Sequence, residues 1–390
     1  MEKKYTLSAV CFGEVLWDIF PTHKKIGGAP LNVSLRMNSI GVNTTMISRI
    51  GDDDNGKDIL SFLNDQEVTT DLIQITGEYK TGAVQVMINE KGNASYDILY
   101  PSAWDKIIET EMMDKVVAEA DAFVFGSLAC RDEVTRATLN KLLEKANYKI
   151  FDVNLRAPYY TIDVLNELML KADFIKLNDE ELREIGSELG STYNSFEQNI
   201  KFLAEKTNTK QVCVTKGEFG AVLYSNDKFY YNSGYFIKVV DTVGAGDSFL
   251  ASLIVKLLRG KSPQKALNYA CAIGALVAGQ EGANPQISEK VIRDYMKIEK
   301  NYDSMKSYFL QAIDRDNSDA MYFFGNYYDE IENNIQLAQK YYLMALNKNK
   351  YPELASELQR RMEGELSKDF SATLSTYLKT CQSKAETIAT

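Results

Sequence analysis

The residues of this chain best suited to chemistry lie in one short run, Asp241-Thr242-Val243-Gly244-Ala245-Gly246-Asp247-Ser248-Phe249. Gly244, Ala245 and Gly246 have little or no side chain, so their amides can face an anion directly. From Asp247 to Leu258 the apolar residues Phe249, Leu250, Leu253, Ile254 and Leu257 recur at helical spacing, and Gly260 closes the segment. The small-residue turn therefore lies at a helix N-terminus, where the backbone dipole favours negative charge. A carboxylate beside such an anion cradle would be repelled by a bound phosphate, and Asp247 makes sense there as the group that takes a proton from an attacking hydroxyl. The chemistry is phosphoryl transfer in outline, with Asp247 as candidate general base and Gly244, Ala245 and Gly246 as the anion hole. A plain helix N-cap is the alternative reading of Asp247, because Asp is favoured at helix starts in proteins that bind nothing.

Two better-known glycine patterns do not fit. Gly244-x-Gly246-x-x reaches Phe249 where a dinucleotide fingerprint needs a third glycine, and Gly260-Lys261-Ser262 has Val255 where a Walker loop needs glycine. The single histidine, His23, lies in a polar stretch, so a serine triad and histidine-based zinc sites are disfavoured. The five cysteines, Cys11, Cys130, Cys213, Cys271 and Cys381, lack metal-ligand spacing and several lie in apolar runs, which fits reduced thiols in a cytosolic protein. Catalysis must rest on carboxylates, lysine, arginine or backbone amides.

The elements that must position these groups follow a βαβ rhythm. Strand-like Ala9–Gly13 precedes a helix from about Leu31 to Ile40, then Thr45–Gly51 and a helix from Gly56 to Gln66. The alternation resumes at Ala122–Gly126, Lys149–Val153, Phe174–Leu177 and Gln211–Thr215. In open α/β sheets ligands sit beyond the C-terminal strand ends, and those ends here carry Gly126, Asp152, Asn154, Asn178 and Lys216-Gly217. Thr81–Ile88 and Ala94–Leu99, joined by the turn Glu90-Lys91-Gly92-Asn93, break the rhythm as a hairpin. With Val15–Phe20 it is expected to form a small β lid, able to exclude water from a transferring phosphate; an edge hairpin with no role is the alternative reading.

At 390 residues, 45% hydrophobic and 25% charged, the chain has room for one large domain and something smaller. The 54 acidic against 44 basic side chains give a net charge of -10, which disfavours a nucleic-acid partner. Gly13, Glu14 and Asp18 interrupt the N-terminal apolar residues, and no signal peptide or membrane span is expected. From about Tyr302 the texture turns helical and tyrosine-rich. Tyr308–Ile313 recurs as Tyr341–Leu346, with Asp319–Tyr328 between them as a partner helix, the pattern of about two tetratricopeptide-like hairpins. Such a tail serves either a protein partner or packing.

Taken together these motifs resemble the PfkB family of carbohydrate kinases. Asp241–Asp247 is similar to its C-terminal signature, and Gly27-Gly28-Ala29-Pro30-Leu31-Asn32-Val33 to its N-terminal one. Gly13–Asp18, Ile47–Asp53, Asp152–Arg156, Asn178–Glu181 and Thr215–Gly220 follow in family order, so that the resemblance covers about residues 5 to 290. It implies an α/β fold of ribokinase-like type: a three-layer sandwich with a central, mostly parallel sheet and a small β lid (about 14–30 and 80–105). The kinase domain would span 1–297 and the all-α, repeat-like tail 298–390.

The resemblance also assigns roles. Asp247 matches the catalytic base and Gly244, Ala245 and Gly246 the anion hole. Asp18, Gly28 and Asn32 match positions that hold sugar hydroxyls, and Arg156 a basic residue facing substrate or phosphates. Asn178 and Glu181 match an Asn-x-x-Glu motif that organises Mg²⁺ through water and phosphate. Thr215 and Gly217 fall at the nucleotide phosphate turn, and Gly220 lets the strand pass close by. Asp241 and the carbonyl of Val243, with the backbone near Ala278 to Ala283, resemble a monovalent-cation site for K⁺.

Gly-Gly-Ala-Pro and Gly-Glu-Val-Leu-Trp-Asp are more similar to fructokinases than to ribokinases or adenosine kinases. The expectation is ATP-dependent phosphorylation of fructose to fructose 6-phosphate, in the cytoplasm, with 2-keto-3-deoxygluconate, ribose or a nucleoside as alternative acceptors. Two features depart from fructokinases: Val153 stands where proline is frequent, and the lid reads Tyr96-Asp97-Ile98 instead of a phenylalanine-rich, arginine-containing strand. Lid pairing between subunits is the implied route to a homodimer. A reading of another class, a catalytically weak kinase-like scaffold acting through its tail, has against it the joint presence of Asp247, the anion turn and Asn178-x-x-Glu181.

Overall fold

The fold is taken from a computed structural model, which describes residues 6–88, 94–297 and 334–346, with the single positions 310, 313, 321, 324, 325 and 328. The chain forms two compact units, Met1–Met296 and Lys297–Thr390.

In the first unit the strands are β1 (Ser8–Phe12), β2 (Leu16–Ile19), β3 (Lys24–Gly27), β4 (Asn43–Gly51), β5 (Ile73–Thr76), β6 (Gly82–Ile88), β7 (Ala94–Ile98), β8 (Ala122–Gly126), β9 (Lys149–Asp152), β10 (Phe174–Asn178), β11 (Gln211–Thr215), β12 (Ala221–Ser225) and β13 (Lys228–Asn232). The helices are α1 (Ala29–Ser39), α2 (Asp54–Asp65), α3 (Glu111–Glu119), α4 (Glu133–Leu143), α5 (Ile162–Lys171), α6 (Asp179–Glu188), α7 (Phe196–Thr207), α8 (Ala245–Leu258) and α9 (Pro263–Ala278).

A nine-stranded sheet runs in the order β13-β12-β11-β10-β9-β8-β1-β4-β5. From β11 to β5 every pairing is parallel, and only β12 and β13 are added antiparallel at one edge. Parallel strands need crossover helices on both faces, and the side-chain alternation shows both faces covered. On β1, Ala9 and Cys11 join the core that includes Leu31, Val33, Leu250, Ile254 and Ile273 of α1, α8 and α9. Val10 and Phe12, on the opposite face, join Val117, Leu139, Leu168, Ile185 and Leu203 of α3 to α7. This is the expected three-layer α/β sandwich of ribokinase-like type.

The lid is a separate four-stranded sheet, order β3-β2-β6-β7. β2 pairs in parallel with β6, and the β6–β7 hairpin holds Val86 opposite Tyr96. The expected turn from Glu90 to Asn93 lies outside the described residues. Boundaries shift in small, explicable ways. The helix expected from Leu31 begins at Ala29, since Pro30 is accommodated in the first turn, where its missing N–H costs nothing. The edge strands β12 and β13, which the βαβ pattern did not show, form a hairpin.

In the second unit Ile335–Leu346 is helical, as are the residues described between 310 and 328. Phe324 packs against Tyr341 with the rings tilted at 55° and their centroids 4.6 Å apart. The remainder of the expected repeats, and Cys381, lie outside the described residues.

Candidate active site

The small-residue turn opens α8. Gly244 is its N-cap with φ 73°, a left-handed conformation suited to glycine. The position is also closely overlain: a Cβ on Gly244 would lie 2.5 Å from the Cβ of Ala283. The amide of Ala245 turns back onto the carbonyl of Thr242 at 3.3 Å, while Gly246 and Asp247 lie in the first helical turn, whose amides have no partner within the helix. The half-buried Asp247 accepts a hydrogen bond from Nδ2 of Asn32, 2.8 Å from its Oδ2. Burial, and next the charge of Asp152, push the Asp247 carboxyl up to about 6; the Asn32 hydrogen bond, Lys176 and Arg156 oppose this.

Beneath the turn lies a buried ion pair that sequence reasoning missed. Lys176 of β10 and Asp152 of β9 are register partners, and Nζ of Lys176 donates to Oδ1 of Asp152 at 3.0 Å. Lys176 also reaches Gly246, whose added Cβ would lie 3.4 Å from Nζ. Burial works against this ammonium, but Asp152, Glu181 and Asp247 outweigh it and hold it above its ordinary value. The signal available in the sequence was a lysine inside the apolar run Phe174-Ile175-Lys176-Leu177.

Asp18 on β2 and Gly28, the N-cap of α1, bring the lid and α1 to the same place. Arg156, exposed in the loop after β9, exerts its charge on Asp18, Asp247 and Glu14 together. Burial raises Asp18 to about 6 against the pull of Arg156 and Lys25. Glu14, not singled out from the sequence, is 3% exposed with Oε2 unpartnered. Burial, the largest influence, raises it to about 7.

On the other side, Asn178 and Thr215 are register partners at the ends of β10 and β11. Asn178 and Glu181 form a capping box at the start of α6: the amide of Glu181 donates to Oδ1 of Asn178 and the amide of Asn178 donates to Oε2 of Glu181, both at 2.8 Å. Oε1 of Glu181 accepts from the amide of Leu155, tying down the loop that carries Arg156. Gly217 opens a short turn beyond Thr215, and Gly220 closes it with φ 76° against β13, where a Cβ would overlap the Asn232 carbonyl.

Asp241 holds the loops together. Its Oδ1 accepts from the amide of Val243 at 3.0 Å, its Oδ2 from the amide of Gly282 at 3.1 Å, and Lys25 of the lid stands 3.7 Å from Oδ2. Among the described residues no group of three His, Cys, Asp or Glu could hold a metal ion, and no helix is long and apolar enough to cross a membrane.

What the arrangement can do is place an anion over a helix N-terminus with a buried cation below it and a carboxylate of raised proton affinity beside it. Residues 3–290 match the model of the pfkB family carbohydrate kinases. A fructokinase-2 of Solanum habrochaites is 28% identical over 308 residues, 71% of this chain and 92% of the relative. The crystal structure of a fructokinase with bound ATP from Xylella fastidiosa superposes with a TM-score of 0.68 at 22% identity, covering 75% of this chain and 99% of that one. A fructokinase double mutant from Vibrio cholerae O395, solved with fructose, ADP and potassium ion, gives a TM-score of 0.64 at 21% identity over 75% of this chain and 98% of that one. With the family model matched over nearly the whole first unit of a three-layer α/β sandwich, the chain belongs to the pfkB family of carbohydrate kinases.

Proposed function

We propose that this carbohydrate kinase transfers the γ-phosphoryl group of ATP to a hydroxyl of fructose, giving fructose 6-phosphate. The observation that carries the mechanism is the placement of Asp247 beside the Gly244-Ala245-Gly246 turn and above Lys176. The choice of fructose rests on the fructokinase relatives and on Gly-Glu-Val-Leu-Trp-Asp and Gly-Gly-Ala-Pro in this chain.

Asp247 takes the proton of the acceptor hydroxyl as its oxygen attacks the γ-phosphorus; the bond from phosphorus to the bridging oxygen breaks and ADP leaves with that electron pair. The Gly244-Ala245-Gly246 turn as anion hole and the Lys176 ammonium stabilise the charge on the moving phosphoryl group. Asp18, Gly28, Asn32 and Arg156 hold the sugar, and Asn178, Thr215, Gly217 and Gly220 flank the nucleotide.

Glu181 fits Mg²⁺ through a bound water, because both its oxygens already accept backbone amides. When bound, the ion neutralises phosphate charge. For K⁺, Asp241 and Val243 are the assigned residues, and the cation competes there with Lys25. We assign the kinase activity to residues 1–297 and a protein-partner role to residues 298–390. A lid-mediated homodimer and a cytoplasmic location complete the reading; buried, unpaired Cys11, Cys130, Cys213 and Cys271 support a reducing compartment.

The test is ATP consumption by full-length and tail-truncated protein with Mg²⁺ and K⁺ across fructose, ribose, 2-keto-3-deoxygluconate and nucleosides, with the product identified by ³¹P NMR. Fructose-dependent turnover yielding the 6-phosphate in both proteins supports the proposal. Preference for another acceptor would replace the substrate, and no sugar-dependent turnover would overturn it.

A further inference from the structure

The loop that passes over the anion turn carries a residue to which none of the foregoing gives a role. Ala283 packs on Gly244, and the next residue, Asn284, reaches α1, where its Nδ2 donates to Oδ1 of Asn32 at 2.9 Å. Asn32 in turn donates through Nδ2 to Oδ2 of Asp247 at 2.8 Å. A carboxamide has one accepting and one donating end, so whichever group takes its oxygen determines where its NH₂ points. An ionised carboxylate only accepts, and the Asp247 side of Asn32 must therefore be the NH₂ end.

Asn284 is held in this orientation at a cost, since its own Oδ1 is buried without a hydrogen-bond partner. The loop does not need Asn284 for its position. Arg36, 2% exposed, donates Nη2 to the carbonyl of Pro285 at 2.9 Å and Nε to Oγ of Ser248 at 3.0 Å, and the Gly282 amide is held by Asp241.

We propose that Asn284 is a positioning residue: by claiming the oxygen of Asn32 it keeps the NH₂ of Asn32 on the carboxylate of Asp247. This rests on the reading of Asp247 as the base. The other charged groups that face Asp247 are Asp152 of β9, Lys176 of β10, Arg156 of the loop after β9, and Glu14 after β1; none of them contacts Asn284 by any hydrogen bond found among the described residues.

The discriminating variant is Asn284→Asp, which replaces the donor to the Asn32 oxygen by an acceptor that competes with Asp247 for the Asn32 NH₂. The acid limb of kcat/KM for the sugar should move up by about one pH unit as the base loses its donor. An added charge acting directly on Asp247 would do so whether or not Asn32 is present. The shift is therefore measured again in the Asn32→Ala background, where it should vanish. The same titration is read without turnover from the pH dependence of the Tm difference between each protein and its Asp247→Asn counterpart, and Asn284→Ala checks that the loop still folds.

A limb that does not move, or a shift that persists in Asn32→Ala, overturns the proposal. Normal turnover by Asp247→Asn alone would overturn the underlying assignment of the base instead, so the two failures are distinguishable.

Discussion

Asn32 Nδ2 and Asp247 Oδ2 lie 2.8 Å apart although 215 residues separate them in the chain. The bond joins α1, which follows the lid strand β3, to the helix that begins at the anion turn. Beyond the sugar-holding role proposed for it, Asn32 donates to the proposed base and opposes the rise in proton affinity that burial gives that carboxylate.

Asp247→Asn should lower kcat by about 10²- to 10⁴-fold while nucleotide binding stays near normal, because only proton removal is lost. Steady-state kinetics with calorimetric titration of nucleotide separates the two. Turnover within a few-fold of wild type would exclude Asp247 as base.

Wild-type kcat/KM for the sugar should fall as pH drops through about 6, the value to which burial raises Asp247. A base must be unprotonated in the free enzyme, so the limb lies on the acid side. An acid limb near 4, the ordinary carboxylate range, would mean that the site is as wet as bulk solvent.

The same shift makes a stability prediction of definite sign. The Asp247 carboxyl is raised from 3.8 to about 6 in the fold, so between these values the folded chain holds a proton that the unfolded chain has released. Stability contributed by this group thus declines as pH rises through that window and stays low above it. Asp247→Asn removes the penalty and should stabilise the protein by up to about 3 kcal/mol at pH 7 and by little at pH 4. Urea denaturation at the two pH values checks it; equal effects at both would refute the linkage.

Lys176→Met should cost about 3–5 kcal/mol, since it leaves Asp152 buried with no opposite charge. Lys176→Met combined with Asp152→Leu should recover most of that loss in denaturant midpoints without recovering turnover. Full activity in the double variant would remove Lys176 from the phosphoryl site.

Gly244 and Gly246 should respond differently to alanine. At Gly244 the left-handed backbone and the overlap with Ala283 predict a loss of about 1–3 kcal/mol together with activity. At Gly246 no left-handed strain is present and the helix gains about 0.5–1 kcal/mol, but the methyl group stands between the anion and Lys176, so KM for ATP should rise in a protein of normal or higher Tm. Similar thermal losses in both variants would show that the turn is not shaped around an anion.

By itself the sequence determined what depends on neighbours along the chain. The anion turn is local: small residues, then an apolar period, then glycine. The βαβ alternation and the β6–β7 hairpin are likewise patterns of a few adjacent residues, and Asn178-x-x-Glu181 is a capping box whose partners are three apart. Only the tertiary structure decided which distant polar groups meet. Lys176 reads as an oddity in an apolar strand until β9 sets Asp152 opposite it. Asn284 reads as a loop residue until α1 brings Asn32 within 2.9 Å. Glu14 and Arg36 are enclosed only when the layers close over them. Burial converts a polar side chain into a group that must have a partner, and that partner is chosen by the packing of layers in space, which no local spacing encodes.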